Sequence, residues 1–169
     1  MKKSHYLFLL LLLLLLLNVG QGRAIEIELL TSSVPLNYED INQRTVGPLL
    51  YRGGLKLSAN DERFGGFSAL LISEDGHRLL AASDKGMWFS ATLLYDAEGN
   101  LSDADTARLA PITGLDGKPL SGRYRDAEAL ARDTDGAILV AFEQHHRILR
   151  FLPPAELDAH ALAASRPKS

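Results

Sequence analysis

The sequence lacks cysteine altogether. This absence excludes disulfide bonds, thiolate metal ligands, a cysteine nucleophile and a lipidated N-terminal cysteine, so an exported form must be held together by its core. An excess of positive charge is also missing. The chain has 18 Lys plus Arg against 21 Asp plus Glu, and loss of Lys2, Lys3 and Arg23 with a leader would leave 15 against 21. Cations are therefore more natural partners than nucleic acid, which is not expected to bind.

Long apolar runs are scarce, and the one that stands out covers residues 6–17. Two lysines precede it, and the ending Gly22-Arg23-Ala24, with small residues at 22 and 24, follows it, which is the order of a secretory signal peptide. The run is shorter than the roughly 20 residues that cross a bilayer. A retained anchor and a buried helix are the alternatives, although a buried helix would interleave polar residues on its solvent face. We predict a signal peptide over residues 1–24 and a periplasmic or secreted product without a stable membrane anchor.

Short apolar segments separated by turn-forming residues dominate the rest of the chain. Asp75-Gly76 and Asp135-Gly136 each separate two such segments, which is typical of a β-hairpin, and residues 96–100 form a further turn signal. Alternation around a glycine pair also predicts a strand over residues 49–58, with a bulge or a close backbone approach at the glycines. We expect two antiparallel β-meanders between residues 67 and 151.

The hairpin pattern repeats at an offset of 60 residues, which aligns the two Asp-Gly turns. An acidic residue ends the second strand of each copy, at Asp84 and Glu143, one position out of register. Two strands around such a turn, followed by a third strand, are typical of a propeller blade. The predicted fold is all-β, with antiparallel β-meanders that form about two blades of a partial β-propeller over residues 25–152. Two hairpins of a β-sandwich would align equally well, and a sandwich is the alternative.

Residues 153–169 differ in character from the β-rich part. Pro153 and Pro154 stop the last strand, and the alanine-rich segment after them has helical propensity but only a thin apolar face. We expect this tail to fray. Two blades do not close a ring, which normally takes about four to eight. We therefore expect a truncated fragment of a longer protein in preference to a different, open architecture.

Five segments stand out along the chain: Tyr51-Arg52-Gly53-Gly54-Leu55, Phe64-Gly65-Gly66-Phe67-Ser68, Ser83-Asp84-Lys85-Gly86-Met87-Trp88, Tyr124-Arg125-Asp126-Ala127-Glu128-Ala129-Leu130 and Phe142-Glu143-Gln144-His145-His146-Arg147-Ile148. They resemble successive motifs of the esterase-like phytase family and come in that family's order. The resemblance implies an exported, β-propeller-like domain with acidic residues for phosphoester chemistry or calcium binding. Ala69 and Ala129 stand where the family commonly has glycine. The family also continues beyond the last motif, which is a second reason to expect a fragment.

Four carboxylates form the best candidate site: Asp84, Asp126, Glu128 and Glu143. Carboxylates at the ends of neighbouring strands can converge on one hard cation, and calcium accepts about six to eight oxygen ligands in irregular geometry. Asp126 and Glu128 are two residues apart, which places them on one face of a strand. We expect the four residues to be catalytic, with Asp84, Glu128 and Glu143 as calcium ligands. The alternative is an ordinary turn at Asp84 and a solvated edge at residues 126–128.

A second set, Arg125, His146 and Arg147, is predicted to bind the substrate. A guanidinium group matches two phosphate oxygens at once, which suits a phosphate ester near the acidic cluster. Arg125 has an alternative role as an ion-pair partner of Glu128 or another carboxylate. His145 and His146 are adjacent and lack the alternate spacing that would turn both toward one metal on a strand, so zinc is not expected.

These features fit two functions. The first is a metal-assisted hydrolase of a small-molecule phosphoester, in which calcium polarises a phosphoryl oxygen and helps to activate water. The second is a non-catalytic propeller module that binds a ligand or an envelope protein, with the same carboxylates as structural calcium ligands or ion-pair partners. Truncation favours an inactive chain. A Ser-His-Asp hydrolase is disfavoured, because Leu70 stands where the G-x-S-x-G motif requires its second glycine.

Overall fold

The computed structural model describes residues 23–168. Residues 1–22, which hold nearly all of the predicted signal peptide, lie outside the described part. Within residues 23–168, no helix is both long and apolar enough to span a membrane.

The elements in chain order are β1 (Ile25–Glu26), β2 (Leu30–Ser33), β3 (Thr45–Val46), β4 (Leu49–Leu50), β5 (Leu55–Ser58), β6 (Phe67–Ile72), β7 (Arg78–Ser83), β8 (Met87–Tyr95), β9 (Leu101–Pro111), a 3₁₀ turn (Gly122–Tyr124), β10 (Ala127–Arg132), β11 (Ile138–Phe142), β12 (Arg147–Phe151) and α1 (Ala159–Ala163).

Two antiparallel meanders form the centre of the fold, as the alternation predicts. The first sheet has the strand order β1-β9-β8-β7-β6, and the second has the order β10-β11-β12. Strands β6 and β10 lie near each other, so that the two sheets meet along the first strand of each meander. The prediction of an all-β, partial propeller-like fold is confirmed.

The three predicted turns are also present, and their side chains explain them. The Asp75 carboxylate accepts a hydrogen bond from the His77 backbone N–H (3.0 Å), and Asp135 accepts one from the Ala137 N–H (3.1 Å). Gly76 and Gly136 have φ angles of 80° and 85°, which glycine adopts without strain. In the third turn the Asp96 carboxylate accepts a bond from the backbone N–H of Asn100 (2.7 Å).

The two meanders have the same register, bulge included. Strand β6 maps onto β10 at an offset of 60, β7 onto β11 at 59, and β8 onto β12 at 60. Each first strand also carries a one-residue irregularity at the equivalent place, between Phe67 and Ala69 and between Ala127 and Ala129. The change from 60 to 59 arises because six residues separate the last cross-strand pair of β6 and β7, Ile72 and Leu79, whereas five separate the equivalent pair, Arg132 and Ile138. This difference brings Asp84 and Glu143 into exact equivalence, which corrects the one-residue mismatch expected from the sequence.

The main core lies between the two sheets. The first sheet contributes Trp88, which is completely buried, and the second contributes Phe151, whose ring meets the indole edge-to-face at 5.2 Å. The opposite face of the first sheet packs under the N-terminal strands through a second cluster centred on Phe89. One face of the second sheet has no comparable cover within the described residues, and Ile148 on that face is 60% exposed.

The predicted strand over residues 49–58 is wrong as one element. Strand β4 pairs with β3, whereas β5 pairs with β2 in a different sheet. The glycine pair lies between β4 and β5. Gly53 has a φ of 107°, and its backbone lies directly against that of Leu101. The close backbone approach predicted at the glycines is therefore real, and it ends one strand before the next begins.

The expectation of a frayed tail is also wrong for most of its length. Leu157, Ala159 and Leu162 are buried in the main core, and Lys168 forms an isolated bridge with Arg150 of β12. Asp158 caps the N-terminus of α1 by accepting a hydrogen bond from the His160 N–H (2.7 Å). The thin apolar face is sufficient because α1 is only five residues long and rests on strands β8 and β9.

Candidate metal and phosphate site

The candidate site lies where equivalent strands of the two sheets end. Asp84 directly follows β7, and its backbone N–H donates to the carbonyl oxygen of Gly66 (2.9 Å). Glu143 directly follows β11, and its N–H donates to the carbonyl oxygen of Asp126 (3.0 Å). The same backbone bond therefore presents an acidic side chain at the same end of each sheet.

Three of the four predicted carboxylates come together in what we call the acidic triad, Asp126, Glu128 and Glu143. Each offers one oxygen, and the three oxygens lie within 4.8 Å of one another. Asp126 is only 9% exposed, whereas Glu128 and Glu143 face solvent. The triad combines one nearly buried carboxylate with two accessible ones, which leaves an open side for a ligand.

The bulge in β10 explains why Glu128 belongs to the triad. Ala127 pairs with Phe142 and Ala129 pairs with Ala141, so Glu128 is the extra residue on its strand. A bulge bends a strand and redirects the side chain of the extra residue. Asp126 precedes the strand altogether. The two-residue spacing therefore groups Asp126 with Glu128 correctly, but regular strand alternation is not the reason.

The electrostatics of the triad are those of crowded negative charges. The pKa of Glu128 lies above its ordinary value, first because of partial desolvation and then because of the negative charges on Asp126, Glu143 and Asp84. A raised carboxyl pKa means that the neighbourhood disfavours the ionised form. A bound cation would remove this penalty.

Asp84 lies close to the triad but is not part of it. Its charge contributes to the raised pKa of Glu128. Its carboxylate occupies the space that a Cβ on Gly66 would fill, and Gly66 has a φ of 66°. The glycine in the Phe64–Ser68 motif is therefore required both by its backbone conformation and by the position of Asp84.

Sequence reasoning missed Gln144, which fixes the orientation of the triad's buried member. Its amide Nε2 donates to Oδ2 of Asp126 at 2.7 Å. A buried carboxylate needs such a donor, because an unsatisfied one is costly. The available signal was the position of Gln144 directly after Glu143 within the motif at residues 142–148.

Arg147 is the most firmly held of the three predicted substrate-binding residues. One guanidinium nitrogen donates to the carbonyl oxygen of His145 (3.0 Å) and another to that of Tyr124. The guanidinium carbon lies 4.0 Å from the centre of the Phe142 ring, and burial lowers the Arg147 pKa. Within residues 23–168, no carboxylate forms an ion pair with Arg147.

The other two predicted substrate-binding residues are held less firmly. Arg125 packs its side chain against Gly86, where a Cβ would lie 2.7 Å from that of the arginine. Among the described residues, Arg125 forms no ion pair with Glu128 or with another carboxylate, which was its alternative role. His146 is exposed, whereas the ring of its neighbour His145 lies 4.7 Å from the Tyr124 ring.

Comparison with known proteins adds one match. A family model described as Phytase-like, esterase-like activity of phytase, matches residues 62–165. The matched range covers both meanders between residues 67 and 151, every candidate residue above and the buried part of the tail. The comparisons with curated proteins and with solved structures found no match.

Proposed function

The chain belongs to the Phytase-like family, and on that premise we propose that it is an exported, calcium-dependent phosphoester hydrolase domain. The observation that carries the proposal is the acidic triad, in which three carboxylate oxygens lie within 4.8 Å of one another. Asp126, Glu128 and Glu143 would hold the cation, with Asp84 adding negative charge beside them. This assignment replaces Asp84 with Asp126 among the predicted ligands.

The spacing of the triad suits calcium. Two oxygens that share one calcium at about 2.3–2.6 Å are at most about 4.6–5.2 Å apart, and three oxygens within 4.8 Å of one another are compatible with that range. An all-carboxylate set is also the oxygen donor chemistry that calcium prefers.

The residues around the triad have complementary roles in this proposal. Gln144 keeps Asp126 oriented, because its amide binds one carboxylate oxygen and leaves the other for the ligand. Arg147 and Arg125 would bind oxygens of the phosphate ester, and His146 would contribute a further hydrogen bond. When bound, calcium would polarise a phosphoryl oxygen. In this proposal the phosphate ester is bound by both the cation and the arginines.

The main test is the calcium dependence of thermal unfolding. A ligand that binds only the folded protein at 100 times its Kd stabilises it by about 2.7 kcal/mol. We expect calcium to raise the melting temperature of the exported protein, and E128Q or E143Q to abolish most of the rise. E98Q is the matched control, because Glu98 is an exposed carboxylate in the β8–β9 turn. An undiminished rise in the triple variant D126N/E128Q/E143Q would disprove the assignment.

Catalysis requires its own measurement. We expect calcium-dependent release of phosphate from p-nitrophenyl phosphate, with E128Q inactive and R147M raising KM more than it lowers kcat. Calcium binding without phosphate release would instead support the non-catalytic module that binds a ligand. A protein that neither binds calcium nor releases phosphate would contradict both the hydrolase and the non-catalytic module.

Export is a separate part of the proposal, and it rests on the charged, apolar and small-residue order of residues 1–24. Expression of the full chain in a bacterial host should give a periplasmic or secreted protein. Mass spectrometry should then find an N-terminus within a few residues of Ile25. Intact Met1 in the membrane fraction would refute this part.

A further inference from the structure

The second sheet leaves open a face that the first sheet buries. Ile148 is 60% exposed, whereas its register equivalent Trp88 is completely buried. Leu139 is half-buried, whereas its equivalent Leu80 is completely buried. In the first sheet this face is covered by the second sheet. We call the uncovered face of the second sheet, formed around Leu139, Ala141 and Ile148, the open face.

A complementary opening lies at the other end of the molecule. Leu70 of β6 is 62% exposed and lines an apolar groove of about 260 Å³ with Phe67 and Leu79. Its register equivalent, Leu130, packs into the core between the two sheets. The groove therefore lies on the face of the first sheet that corresponds to the core-facing side of the second sheet, and it is the part of that face that stays uncovered.

We propose that the open face of one chain docks on the groove of a second copy, so that the contact between the two sheets of one chain is repeated between chains. Both halves of this interface are present on the same molecule, at opposite ends. Each half has an equivalent that is already paired within the chain.

Side-chain size also favours this pairing. The open face carries small side chains, Ala129 and Ala131, beside Leu139, whereas the groove side presents the larger exposed Leu70 and Ile72. Small residues opposite large ones allow two sheets to interdigitate. Arg150 on the open face is paired with Asp133 and Asp135, which supplies a polar rim.

The interface is head-to-tail, because each copy contributes a different surface. Such contacts form rings when the rotation closes and filaments when it does not. Two-fold packing of one open face on another is the competing arrangement, and the two arrangements respond differently to single substitutions.

The test is sedimentation velocity of the full exported chain over a concentration series. We expect self-association that weakens at least about tenfold in I148E and in L70E, since either change places a charge in an apolar contact. L115E is the matched control, because Leu115 is 56% exposed in a loop outside both surfaces. Far-UV circular dichroism should show each variant to be folded.

Mixing the two variants decides the geometry. I148E retains an intact groove and L70E retains an intact open face, so the mixture should restore one interface and form a 1:1 heterodimer. A wild-type chain that stays monomeric at all concentrations would overturn the proposal. Normal self-association of L70E together with its loss in I148E would also overturn the proposal, because that result indicates two-fold packing of one open face on another.

Discussion

The two meanders share one backbone frame but differ in the side chains at their functional end. In the first sheet the equivalent positions hold Gly66, Ser68 and Asp84; in the second they hold Asp126, Glu128 and Glu143. Register, bulge and strand-end hydrogen bond are the same in both. The frame therefore explains where side chains are directed, and the residue types explain why only one of the two frames carries an acidic triad. The same reasoning applies to burial, since equivalent residues are core in one sheet and surface in the other.

The largest expected contrast concerns Trp88 and Ile148, which occupy the same register position. W88A should lower the free energy of unfolding by about 3–5 kcal/mol, because it empties a fully buried site. I148A should change it by about 0.5 kcal/mol or less, because the side chain is exposed. Urea unfolding at low protein concentration measures both values. Equal costs for the two substitutions would show that the open face is covered in solution.

The second contrast concerns the tail, which packs against the first sheet through Asp158. This carboxylate is 6% exposed and accepts hydrogen bonds from Arg108 (2.9 Å) and Arg78 (3.1 Å). D158A should cost roughly 2 kcal/mol, below the full cost of breaking a buried ion pair because both arginines are partly exposed. E156Q is the control, since Glu156 contacts the same Arg78 at 3.4 Å but is largely exposed. Equal losses in the two variants would contradict the role of Asp158.

The pH dependence of this contact has a definite sign. Burial raises the pKa of Asp158, but the hydrogen bond from Arg108 and the positive charges of Arg108 and Arg78 outweigh it, so the pKa is lowered. The stabilisation is then complete above the unfolded pKa of about 3.9 and is lost as the pH falls through the folded value. The stability difference between wild type and D158N should shrink below about pH 4.

Much of the fold could be predicted from local chemistry. The Asp-Gly turns and the strand alternation predict both meanders, because they depend on residues adjacent in the chain. Packing of the tail could not be predicted, since the burial of Leu157 and Leu162 depends on where β12, the preceding strand, lies in the second sheet. The three members of the triad could be predicted as candidates, but the way in which they come together could not. Glu128 reaches it through a bulge, and Asp126 depends on an amide from Gln144, which no residue-type pattern specifies.

The smallest expected effect is on the melting temperature of protein without calcium, and it concerns Glu128, the extra residue of the bulge in the second sheet. Glu128 has a raised pKa, first from partial desolvation and then from the charges of Asp126 and Glu143. The folded protein thus favours protonated Glu128. The contribution of protonated Glu128 to the stability of the folded protein is complete below the ordinary pKa of 4.5 and is lost as the pH rises through the folded pKa. E128Q should therefore melt at the same temperature as wild type or slightly higher at pH 7, with no advantage in acid.

Added calcium should reverse this order, because the wild-type carboxylate gains a cation that the amide binds less well. The equivalent bulge residue in the first sheet provides the comparison, since S68E adds a carboxylate at an exposed site without the rest of the triad. S68E should leave the calcium response unchanged. A melting temperature of E128Q that lies below wild type at pH 7 without calcium would mean that Glu128 stabilises the fold by another contact and that crowded charge is not the dominant effect at this residue.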